Sequence, residues 1–89
     1  MNSPFFIAAG VDKDNKHYWI KNLDPIIWCN DKSDCKKWLT YNEVRSEILR
    51  DEESFRSIFN TSNMMMVLVY EVNEDYNIFS IADILNKDN

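Results

Sequence analysis

Met64–Val72 is a nine-residue run that is apolar on both parities of an extended chain, with Glu71 the single exception. A strand with one wet face alternates apolar and polar residues. A strand that fails to alternate is covered on both faces and paired on both edges. The run is therefore expected in the middle of a sheet, and the rest of the chain must supply two flanking strands and two covers.

Flanking strands are legible on either side. Phe5-Phe6-Ile7-Ala8-Ala9-Gly10-Val11 has strand length, residues 12–16 form a polar turn, and residues 17–23 return as an aromatic-rich strand. Asp24-Pro25 stops that strand, because the residue before a proline is pushed out of the helical region. Residues 26–29 make a third, short strand, and 30–34 a second turn in which Ser33 or Asp34 can cap a helical turn reaching Trp38. Beyond Val72, residues 73–75 turn the chain and 76–79 pair back. Ser80-Ile81-Ala82-Asp83 has the spacing of a cap for a last helical turn to Leu85, before a frayed tail at 86–89.

The cover comes from the middle of the chain. Thr40-Tyr41-Asn42-Glu43 is a T-x-x-E capping box, in which Thr40 satisfies the Glu43 N–H and Glu43 reaches back. Behind it Tyr41, Val44, Ile48, Phe55, Ile58 and Phe59 fall near one helical face. Asp51 and Glu52 interrupt that stripe, marking either a kink or a second helix capped by Asp51. Residues 60–63 end the helical region. The expectation is one α+β domain over 1–89: a small antiparallel sheet, in chain order β-β-β-α-β-β, with one long or kinked helix packed on one face.

One helix covers one face. On β-strand parity Phe5, Ile7 and Val11 lie on one side and Phe6 and Ala8 on the other, so the second face is also greasy. Either segment 31–39, carrying Trp38 and Leu39, folds over it, or an aromatic patch drawn from Tyr18, Trp19, Trp28 and Trp38 stays open to anchor a partner. A large exposed patch is unusual on a monomer and would favour a twofold homodimer.

Composition removes several function classes. A single glycine leaves no Gly-rich phosphate loop and gives the turns to Asn and Asp. The only histidine, His17, has no nucleophile or orienting carboxylate fixed beside it. The acid pairs Glu52-Glu53 and Glu74-Asp75 sit in solvated runs, so no enzymatic activity is expected. Cys29 and Cys35 lack the spacing of a metal site and read as reduced thiols, with no metal and no cofactor; a disulfide across the turn is geometrically possible. No apolar run reaches the roughly eighteen residues of a membrane helix, and the start lacks a basic leader, so a cytoplasmic protein is expected.

Net charge is −5, and residues 61–89 hold five acids against Lys87 alone. Stacked aromatics on a sheet would suit single-stranded nucleic acid, but the basic frame is missing, so direct binding is not expected. The acidity keeps an apolar protein soluble, or faces a basic partner such as a nucleic-acid-binding protein. Glu71, Glu74, Asp75 and Asp83 are the candidate surface for that contact.

Eleven asparagines, one glycine, and the series Tyr18-Trp19-Ile20-Lys21-Asn22, Trp28, Lys36-Lys37-Trp38 and Glu43-Val44 place a hairpin before a capped helix. Over about residues 17–50 the chain resembles small accessory proteins of AT-rich bacteriophages. The resemblance implies a host-takeover or anti-defence protein that inhibits a bacterial factor by occluding it in the host cytoplasm, without catalysis. It assigns no functional residue. The alternative, from another class, is a small-molecule or nucleotide-binding module that sequesters its ligand.

Overall fold

The structure is a computed structural model that describes residues 3–88; Met1 and Asn2 of the start, read as lacking a basic leader, and Asn89 of the expected frayed tail lie outside the described residues. Along the chain run β1 (Phe5–Asp12), β2 (His17–Asn22), β3 (Ile27–Cys29), a 3-10 turn (Lys32–Asp34), α1 (Tyr41–Arg50), α2 (Glu52–Thr61), β4 (Met64–Val72) and β5 (Ile78–Asn86). The strands form one antiparallel sheet in the order β3-β2-β1-β4-β5. The fold is α+β, and β4 has a partner on each edge, as its non-alternating sequence requires.

Two hairpins close by one device. The Asp12 Oδ1 accepts from the N–H groups of Asp14 and Lys16, and the Asn73 Oδ1 from those of Asp75 and Asn77, each at 2.9 Å. In each loop the fourth residue is left-handed: Asn15 at φ 66° and Tyr76 at φ 63°. Asparagine adopts that conformation readily, as the turn chemistry anticipates. A tyrosine there is strained. The lone glycine serves no turn at all. Gly10 sits inside β1, where a Cβ would come within 2.5 Å of Met64 Sδ and 3.1 Å of the Trp28 ring, so it makes room for packing.

The helical region departs from the single-helix expectation. Thr40 Oγ1 accepts the Glu43 N–H at 3.1 Å and donates to the Glu43 carboxylate at 3.0 Å, so the capping box closes through the side chains. After the ten residues of α1 the backbone of Asp51 (φ −100°, ψ 21°) leaves the helical region, and its N–H bonds the carbonyls of Ile48 and Leu49. The Phe55 N–H then bonds the Asp51 carbonyl, opening α2, while the Asp51 side chain makes no cap bond. Two ten-residue helices result, with Val44, Ile48, Phe55 and Phe59 buried together against Ala8, Ile20, Val67, Val69 and Leu85. Each such large side chain contributes about 1.5–3 kcal/mol by leaving water.

The expected terminal helix is a strand. β5 pairs with β4 from Ile78 opposite Val72 to Asn86 opposite Met66, with register shifts that leave Ile81 and Ile84 as extra residues. The reason is backbone hydrogen bonding. A return strand ending at residue 79 would leave most of one edge of β4 unpaired, which outweighs a local cap worth about 1 kcal/mol. The expected helical turn to Trp38 is also cut short. Asp31 caps a turn that stops at Asp34, and the chain then extends. Lys36 N–H bonds the Ile20 carbonyl and Trp38 exchanges both backbone bonds with Phe6, so 36–38 wedges between β1 and β2.

Candidate binding surfaces

The two sheet faces are unlike. One carries α1 and α2. On the other, the register aligns Ile7, Ala9 and Val11 with Trp19, Met66, Leu68 and Tyr70. Residues 31–37 form a ridge over one end of this face, with Cys35 buried against Ile7 and Val72. Among the described residues no helix crosses the remainder, where Trp19, Met66, Leu68 and Tyr70 are half-exposed. The expectation that β4 is covered on both faces is thus corrected: one face is fully covered and the other only at its end. The ridge accounts for the cover that 31–39 was expected to give, but its last residues do not take part. Trp38 passes to the helix side at 2% exposure, and Leu39 stands 75% exposed.

The four candidate aromatics do not form one patch. Tyr18 and Trp28 meet edge-on at 6.5 Å on the helix side, and Trp28 meets Phe55 at 6.1 Å. With Asp12, Ile58, Asn63 and Met64 they line an open cleft of about 540 Å³. Trp38 is core, its indole Nε1 donating to Glu47 Oε2 at 2.9 Å. Only Trp19 reaches the open face. There it contacts two residues that sequence patterning did not select as a site, with ring centroids 5.6 Å from His17 and 5.4 Å from Tyr70.

Hydrogen bonds fix this triad. His17 Nδ1 lies 3.2 Å from the Asn15 carbonyl, and Nε2 lies 2.6 Å from the Tyr70 hydroxyl. A carbonyl only accepts, so Nδ1 carries the proton of the neutral ring and Nε2 accepts from Tyr70. Burial pushes the Tyr70 phenol up from its ordinary value. A proton-shuttling pair needs a reacting group held beside it in a cleft, whereas this pair reaches from β2 to β4 across β1 on an open face. The thiols are equally subdued. Cys29 and Cys35 donate to the carbonyls of Asp31 and Lys32, and burial raises both, Cys35 to about 11. Both cysteines are free. Among the described residues no three His, Cys, Asp or Glu side chains are grouped to hold a metal, and no helix is long and apolar enough to cross a membrane.

The acidic candidates divide as well. Glu71 pairs opposite Phe6, on the helix side; Glu74 and Asp75 sit at the tip of the β4–β5 hairpin; Asp83 lies opposite Leu68, on the open face, accepting the Asn86 amide. A single acidic surface of all four is therefore corrected to three that border the open face and one that does not. Tyr70 escaped notice because it reads as one more apolar position of β4, and its partner His17 is 53 residues away in sequence. Tyr76 escaped because nothing in its neighbours announces a left-handed tyrosine. Set against protein-family models, curated proteins and solved structures, the chain matches none of them.

Proposed function

We propose that the chain is a non-enzymatic protein-binding protein of the inhibitor type, which occludes a bacterial target with its open sheet face. The observation that carries this reading is the His17–Trp19–Tyr70 triad, half-exposed on a face no helix crosses. Trp and Tyr dominate binding energy at interfaces, and side chains already fixed by mutual contacts lose little entropy on docking. A flat aromatic face suits covering a surface rather than transforming a substrate. The three acids on its border, Glu74, Asp75 and Asp83, suit a target with basic residues around an apolar centre.

The test is capture of a target from bacterial lysate, then measured affinity for the identified protein. Trp19→Ala and Tyr70→Ala should each weaken binding at least tenfold, while Leu39→Ala, exposed but off the face, should not. Equal binding by the wild type and Trp19→Ala would refute the assignment.

The cleft between Tyr18 and Trp28 favours a second reading, a module that holds a planar small molecule such as a nucleobase. Its volume is within the range of ligand sites, about 300–1,000 Å³. Nucleotides that raise the melting temperature of the wild type but not of Trp28→Leu would support it.

A further inference from the structure

The last cross-strand row of the open face forms a groove. Phe5 of β1 lies opposite Val72 of β4, and Val72 lies opposite Ile78 of β5, so the three side chains point to one side. With Ile7 they floor an apolar groove of about 300 Å³. Lys32, Ser33 and Lys37 of the 31–37 ridge and Tyr76 of the β4–β5 hairpin wall it. Both walls are tied down. Cys35 is buried against Ile7 and Val72, the Lys36 N–H bonds the Ile20 carbonyl, and the Asn73 side chain closes the hairpin by accepting from Asp75 and Asn77. The groove is formed before any occupant arrives, so binding carries no cost of ordering it.

The charge of its lining has one sign. Lys37 Nζ stands 5.9 Å over the Phe5 ring and donates to the Ser33 carbonyl at 3.3 Å, which sets one ammonium at the Phe5 end of the row. Lys32 supplies a second from the same wall. Among the described residues the ion pairs are Lys36–Glu47 and Arg56–Glu52, so neither lysine of the groove is engaged by a carboxylate. Among those residues no acid lines the groove. Asp31, next to Lys32 in sequence, turns its carboxylate into its own turn, accepting the Ser33 N–H at 2.9 Å and hydroxyl at 2.8 Å. Asp34, Glu74 and Asp75 are exposed to water outside the groove. An apolar groove charged by two ammoniums selects an anion with an apolar body.

We propose that this groove is a binding site for a small amphiphilic carboxylate, its head held by Lys32 and Lys37 and its unbranched chain laid along Phe5, Val72 and Ile78. The row crosses three strands about 4.8 Å apart, roughly 10 Å, which an extended chain of about eight carbons spans. The volume agrees, since about 300 Å³ is the lower end of the range of small-molecule sites. The site also gives the strained tyrosine a role. At φ 63° an asparagine would be easier to hold, but the ring of Tyr76 walls the groove on its hairpin side. The inference goes beyond the proposed function and uses none of His17, Trp19 and Tyr70.

The experiment is an NMR titration of the full chain with sodium octanoate below its micelle concentration. Shifts should centre on Ile7, Val72 and Ile78 and saturate with a dissociation constant at or below about 1 mM, which about ten non-hydrogen atoms reach at modest efficiency. Shortening the ligand to hexanoate should weaken binding about fourfold per methylene. The neutral 1,2-octanediol should bind at least fivefold more weakly, and octylammonium should not bind. The double variant K32E/K37E should lose octanoate affinity at least tenfold yet bind the diol as the wild type does, which separates a lost charge contact from a lost fold. Tyr76→Asn should weaken both ligands although it relieves the left-handed strain. Octanoate shifts that never saturate, or that centre elsewhere, overturn the proposal, as does equal binding of octylammonium or an unaffected lysine variant. A peptide ending in a free leucine carboxylate that binds more tightly than octanoate overturns it in favour of a protein terminus. Affinity for octanoate that falls as protein concentration rises overturns it in favour of a second copy.

Discussion

Removing the Glu47 carboxylate would strand the indole N–H of Trp38. That tryptophan is 2% exposed, its Nε1 is 2.9 Å from Glu47 Oε2, and Lys36 pairs with the other oxygen at 3.2 Å while lying 5.3 Å over the indole ring. In Glu47→Ala the lost bond to a charged acceptor costs about 1.5–3 kcal/mol. The Lys36 pair adds only a few tenths, because both side chains are partly solvated and screened. Alanine's better helix propensity returns about 0.3 kcal/mol, leaving a net loss of about 2 kcal/mol. Glu47→Gln keeps a neutral acceptor for the indole and should cost about 0.5–1 kcal/mol. Urea unfolding followed by fluorescence and circular dichroism measures both, and an unchanged m-value certifies the same unfolding transition. Since Trp38 and Lys36 anchor the ridge to Phe6 and Ile20, the alanine variant should also open Cys35 to a thiol reagent in the native state. In a Trp38→Phe background the cost of Glu47→Ala should fall by more than half. Equal stability of the Gln and Ala variants would refute the role given to this hydrogen bond.

Thr40→Ala should cost about 1 kcal/mol through loss of the cap on α1, and an unchanged urea midpoint would count against it. Cys35 makes stability fall with alkaline pH. Below pH 9 both states hold the thiol proton, whereas between 9 and 11 the unfolded chain loses it first and is favoured. Urea midpoints on either side of that window should show the fall, and Cys35→Ala should flatten it. Tyr76→Asn should stabilise the fold by about 1 kcal/mol, because the tyrosine is exposed and held at a left-handed φ that asparagine accepts; a melting temperature at or below that of the wild type would refute this.

Much of the fold was legible because local and global signals agree. β4 reads as an interior strand, Thr40 opens a helix, and Asp12 and Asn73 each close a hairpin with side-chain bonds to their own loop. The failures come where they disagree. Ser80 to Asp83 has the spacing of a cap, yet the unpaired edge of β4 recruits the segment as strand and absorbs Ile81 and Ile84 as extra residues. At Asp51 the stripe of apolar residues continues through a break, since Val44, Ile48, Phe55 and Phe59 reach one core from two helices. Periodicity records which side is buried; it does not record whether the backbone carrying it is continuous.

The site was less legible, though one part of its division could be read without coordinates. Tyr18 and Trp19 are adjacent in a strand, and successive side chains of a strand point to opposite faces, so they could never share a patch. Which of them meets the helices depends on register. Ala9 pairs with Trp19, and Ile20 pairs with Trp28, which sends Tyr18, Ile20 and Trp28 together toward Phe55 and leaves Trp19 on the other side. A shift of one residue would exchange the two faces and bury Trp19 in place of Tyr18. The pairing that fixes the register, β1 with β4, joins residues about sixty positions apart, from Phe5 opposite Val72 to Val11 opposite Met66. The same pairing sets β4 beside β1, two strands from β2's edge, close enough for Tyr70 to bond His17. The open face is therefore a property of long-range pairing, and the residues that compose it carry no local mark of belonging together.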